Sequence, residues 1–176
     1  MALRFLALGD SYTIGEAVQP AERWPVQLAA LLRERGTDAT DPEIIAQTGW
    51  TTDELAAAIA ERSPRGPYDL VSLLIGVNNQ YPGYPLDEYR EQFRGLLLRA
   101  IEFAGGEARK VLVLSIPDWG VTPFAADRDR TGIAAEIDTF NEANRQESEA
   151  FGAQYIDVTA VSREAAADAS LVGADG

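Results

Sequence analysis

Two stretches of this chain, Asp69-Leu-Val-Ser-Leu-Leu-Ile75 and Lys110-Val-Leu-Val-Leu-Ser-Ile116, are apolar on successive residues instead of alternate ones. Such runs belong to strands covered on both faces, as in the interior of a parallel sheet. Leu3 to Leu8, Glu43 to Ala46 and Gln154 to Val158 read as three further short strands bounded by turn residues. Between the strands the apolar period becomes helical. Pro25 opens a helix that runs to about Arg35 and is stopped by Gly36. A second begins at Thr52, with Thr51 or Thr52 as cap and Asp53 and Glu54 in its first turn, and Ser63-Pro-Arg-Gly-Pro67 breaks it. Leu86 to Phe103 and Gly132 to Phe151 are two more, and Ser162 to Asp168 has room for one or two helical turns.

Strand alternating with helix predicts a single α/β domain over residues 1–176, a three-layer α/β/α arrangement around a five-stranded parallel sheet. The expected strand order is 2-1-3-4-5. Right-handed crossovers then put the first helix alone on one face and the next three on the other. One helix cannot cover five strands. The expectation is therefore a domain that lacks a C-terminal covering helix, with an apolar strip left open for self-association.

The order 2-1-3 sets the ends of the first three strands side by side, and each is followed by an unusual residue: Ser11, Gly49 and Asn78. Ligands of open α/β sheets bind at that edge. A serine hydroxyl there is a candidate nucleophile. Attack on an ester carbonyl creates an oxyanion, which needs preorganised donors. The backbone N–H groups of Ser11 and Gly49 and the side-chain amide of Asn78 are three. Taken singly, each has a plainer role: a capping serine, a turn glycine, an Asx-turn.

Gly-Asp-Ser-Tyr near the N-terminus, Thr-Gly-Trp after the second strand and Ile-Gly-Val-Asn-Asn after the third resemble the GDSL/SGNH hydrolase family, from Leu3 to Gly176. The resemblance implies a flavodoxin-like fold and esterase, lipase, thioesterase or carbohydrate deacetylase activity. It implies Ser11 as nucleophile and first oxyanion donor, Gly49 as second and Asn78 as third. The third block usually ends in Asp, where this chain has Asn79. The fourth block, Asp-x-x-His, begins at Asp175-Gly176, so Asp175 would orient the catalytic histidine. The sequence contains no histidine. The chain therefore looks like a family member cut inside its last block, with its own activity in question.

Trp50, Tyr81, Tyr84, Trp119 and Phe124 fall in loops at the same edge, either lining an acyl or leaving-group pocket or packing the loops. Asp10 reads as holding the nucleophile turn and Asp118 as a turn residue or a substrate contact; Arg128, Asp129 and Arg130 read as a solvated loop face. The net charge of −13 disfavours nucleic acid and anionic membrane as partners. The chain has no cysteine, and its carboxylates lack metal-ligand spacing, so no cofactor or metal is expected. No apolar run is long enough for a signal-peptide core or a membrane span, which reads as cytoplasmic. The function expected is hydrolysis of small-molecule carboxylic esters. The alternatives are an inactive chain on the same fold that binds acyl or sugar ligands, and a flavin or nucleotide binder, which the want of a glycine-rich phosphate loop disfavours.

Overall fold

Five short parallel strands, β1 (Phe5–Gly9), β2 (Glu43–Ala46), β3 (Leu70–Leu74), β4 (Val111–Leu114) and β5 (Gln154–Ile156), pair in the order β2-β1-β3-β4-β5. The computed structural model describes residues 1–173. The order is the one the alternating pattern predicts. The helices are α1 (Ser11–Ile14), α2 (Trp24–Glu34), α3 (Thr52–Arg62), α4 (Val77–Gln80), α5 (Leu86–Phe103), α6 (Arg130–Phe151) and α7 (Thr159–Ser162). Two of them, α1 and α4, are single turns in stretches that show no helical period in sequence, because four residues are too few to carry one. The connection from Pro117 to Asp129 holds two 3₁₀ turns at Trp119–Val121 and Pro123–Ala125.

One face of the sheet carries Leu6, Leu8, Ile45, Val71, Leu73, Val111 and Val113. They pack with Leu55 and Ile59 of α3, Phe93, Leu96, Leu97 and Ala100 of α5, and Ile137 and Phe140 of α6. Burying each large aliphatic side chain contributes roughly 1.5–3 kcal/mol, so this layer is the main core. The other face is covered unevenly. Over β1 the Phe5 ring meets Trp24 of α2 at 6.1 Å between centroids, and Ala29 of the same helix is buried. Towards the β5 edge the cover thins: Leu112 and Leu114 are half-buried and Ile156 is 42% exposed. Among the described residues, α2 is the one long helix on this face.

Candidate active site

The chain leaves β1 through a tight turn. A methyl group on Gly9 would collide with the Thr13 side chain and the Leu74 carbonyl oxygen, so only glycine fits there. Asp10, with no exposed surface, caps α1: its Oδ1 accepts the Tyr12 N–H at 3.1 Å. That is the turn-holding role expected of it. Its Oδ2 has no partner, and burial raises the carboxyl to about pKa 7 against the hydrogen bond from Tyr12. Burial and the neighbouring Asp10 also raise the Tyr12 phenol above its ordinary value. Ser11, the first residue of α1, stays half-exposed at this sheet edge.

Register fixes what stands beside it. Gly9 pairs with Ala46 on one side and Leu74 on the other, so β1, β2 and β3 end level. Ser11 lies two residues past that line, Gly49 three and Asn78 four. Gly49 has φ +86° and no neighbouring atom where a side chain would project, so its backbone is open to solvent. The Asn78 Nδ2 donates to the Trp50 carbonyl at 2.9 Å, tying the loop after β3 to the loop after β2. Asn79 is buried and makes two hydrogen bonds to Thr52, the first residue of α3. Thr51, not Thr52, caps that helix in a capping box with Glu54.

The predicted aromatic residues separate into two groups. Tyr81, Trp119 and Phe124 cluster, with ring centroids 5.3, 5.9 and 6.3 Å apart. Trp119 is anchored by its Nε1–H on Gln80. Trp50 stands apart from these rings, partly buried against the main core. Tyr84 is exposed and lines a different cavity with Thr51, Asp53, Glu54 and Glu88. Arg128 is an exposed loop residue, as its sequence context suggests, but it also has aromatic partners. Its guanidinium lies 5.1–5.7 Å from the centroids of Tyr81, Trp119 and Phe124, and donates to the Tyr81 hydroxyl at 2.8 Å. Nothing in the local sequence signals this, since the three rings come from two separate loops.

Asp118 has a turn role: Oδ1 accepts the Gly120 N–H and Oδ2 the Arg163 Nε–H at 2.8 Å. With its polar atoms spent, it sits in the wall of a mostly apolar cavity of about 390 Å³, lined also by Tyr12, Trp119, Val161, Leu171 and Gly173. Asp175 lies outside the described residues. Gly173, two positions before it, shares this cavity with Tyr12, the neighbour of Ser11.

A family model described as GDSL-like Lipase/Acylhydrolase matches residues 7–176. Among curated proteins nothing matches. Solved structures with the same fold include the SGNH-hydrolase family esterase AlinE4, with TM-score 0.76 and 20% identity over 100% of this chain and 85% of that one. A member of the lipolytic protein G-D-S-L family from Veillonella parvula has TM-score 0.71 and 18% identity, over 93% and 82%. The psychrotrophic esterase EstA from Pseudoalteromonas sp. has TM-score 0.67 and 18% identity, over 98% and 85%. No helix among the described residues is long and apolar enough to cross a membrane.

Proposed function

Because this chain belongs to the GDSL-like lipase/acylhydrolase family, we propose that it is a serine hydrolase that cleaves carboxylic esters through an acyl-enzyme on Ser11. The observation that carries the reading is the level ending of β1, β2 and β3, with Asn78 of the third loop held to Trp50 of the second. The carbonyl of a bound ester would receive the Ser11 N–H, the Gly49 N–H and the Asn78 amide. Asn78 has two amide hydrogens and spends one on Trp50, which leaves the other for an oxyanion. Trp119, Tyr81 and Phe124 would form an aromatic wall beside the substrate, with Trp50 in the second loop. Solved neighbours described as esterases agree with an ester substrate; the acyl group we propose is small or medium.

Acylation needs a base for the Ser11 hydroxyl, and the 176 residues contain no histidine. In the proposed mechanism Asp175 orients an imidazole against Ser11. The want of a histidine also favours a second reading, in which the chain binds acyl or sugar ligands without turning them over. Both are tested by incubating the protein with excess p-nitrophenyl acetate in imidazole buffer and mapping the acetyl group by peptide mass spectrometry. Acetylation of Ser11, abolished by Ser11→Ala, is the expected result. Ligand binding with Ser11 unmodified would leave the second reading standing, and acetyl confined to another residue would move the nucleophile. We also propose that the open strip of Leu112, Leu114 and Ile156 is covered in solution by a second copy of the chain.

A further inference from the structure

The three donors proposed for the oxyanion come from three different loops, and the spacing of the second and third depends on whatever holds those two loops together. Asn79 is 2% exposed and Thr52 is fully buried. The Asn79 Oδ1 accepts the Thr52 N–H at 3.2 Å, and its Nδ2 donates to the Thr52 Oγ1 at 2.9 Å. The Thr52 hydroxyl, already an acceptor, passes its own hydrogen to Gln92 Oε1 on α5. Asn78, the residue before, reaches Trp50. Two consecutive side chains of the third loop thus grip three atoms of the second, on the stretch that follows Gly49.

We propose that Asn79 is a positioning residue that fixes the Gly49 N–H against the Asn78 amide through its paired hydrogen bonds to Thr52. This rests on the reading of Gly49 and Asn78 as oxyanion donors. Both polar atoms of the Asn79 amide are turned to Thr52. Its contribution is geometric, and oxyanion donors act only at about 2.7–3.1 Å from the developing charge. A carboxylate at position 79 would preserve the grip with reversed polarity. One oxygen would accept the Thr52 N–H, and the other would take the hydroxyl hydrogen that now goes to Gln92. Leucine, of nearly the same size, would fill the space and make neither contact.

The test is the rate of Ser11 acetylation by p-nitrophenyl acetate in imidazole buffer, followed to saturation. Asn79→Leu is expected to lower the maximal acylation rate on the order of 10-fold or more, since small misplacements of reacting groups cost that much. The half-saturating ester concentration should stay nearly unchanged. Asn79→Asp should restore most of the rate. Should Asn79→Leu prove unable to fold, Thr52→Val, which removes only the hydroxyl grip, is expected to lower the maximal rate in the same direction. An acylation rate at the unsubstituted level in Asn79→Leu or, failing that, in Thr52→Val overturns the proposal. So does a loss in Asn79→Asp as large as in Asn79→Leu. Failure of the unsubstituted protein to acylate at Ser11 would instead sink the hydrolase reading itself.

Discussion

Single residues at this site are constrained by hydrogen-bond chemistry more than by size. If Asn78 supplies an oxyanion donor, Asn78→Ala should slow Ser11 acylation by roughly 10²–10³, the loss typical of one such donor; stopped-flow release of p-nitrophenolate measures it. Asp10 has a different signature. Its carboxyl is held near pKa 7 by burial, against an ordinary 3.8. A raised carboxyl means that the folded state holds its proton where the unfolded state has lost it. Stability from this group is therefore full below about pH 3.8 and declines as pH rises to about 7. Asp10→Asn keeps an acceptor for the Tyr12 N–H and cannot ionise, so urea unfolding from pH 4 to 7 should lose that decline. An unchanged slope would show that Asp10 is not its source. That Ser11, Gly49 and Asn78 lie just past strand ends was legible, because apolar runs mark where those strands stop. The aromatic partners of Arg128 were not, because a cation over aromatic rings has no local pattern to read.

Among the polar ties between secondary-structure elements, the clearest lies between α5 and α6. Glu147, almost fully buried, receives Arg94 through Nε at 2.7 Å and Nη2 at 2.9 Å, and Arg90 through Nε at 2.6 Å. Its hydrogen bonds to Arg94, then those to Arg90, pull the carboxyl down to about pKa 2 although burial opposes them. A lowered carboxyl has the opposite sign to Asp10. Its stabilisation is present above the ordinary value of 4.5 and is lost as pH falls towards 2. Glu147→Gln should cost on the order of 1–2 kcal/mol at neutral pH, tempered by the half-exposed arginines. Its deficit in chemical unfolding should vanish near pH 2, and a deficit that persists there would point to packing instead. Helix α3 shows what sequence reads well and what it leaves open. Its first turn was plain from Thr51 to Glu54, while the choice between Thr51 and Thr52 as cap waited on the structure. Thr52 is occupied by Asn79, 27 positions away.

At the scale of the whole molecule, the uneven cover of the sheet follows from topology. With order β2-β1-β3-β4-β5 and right-handed crossovers, α2 is the only long helix on its face among the described residues, and Leu112, Leu114 and Ile156 are part-exposed. If a second copy covers the strip, sedimentation should show a dimer at micromolar concentration, and Leu114→Glu should return a monomer. A parent chain that sediments as a monomer at every concentration would remove the proposal. The parallel five-stranded sheet and the positions of Ser11, Gly49 and Asn78 just past its strand ends were contained in the sequence by itself, because two-sided burial and alternating helical periods mark the strands. The order 2-1-3-4-5 was one of two common doubly wound arrangements, and the structure has it. The grip of Asn79 on Thr52, the ring cluster under Arg128 and the raised carboxyl of Asp10 were decided only by tertiary structure. Each depends on how closely loops far apart in the chain approach, and a hydrogen bond or a buried charge responds to ångströms that no residue pattern encodes.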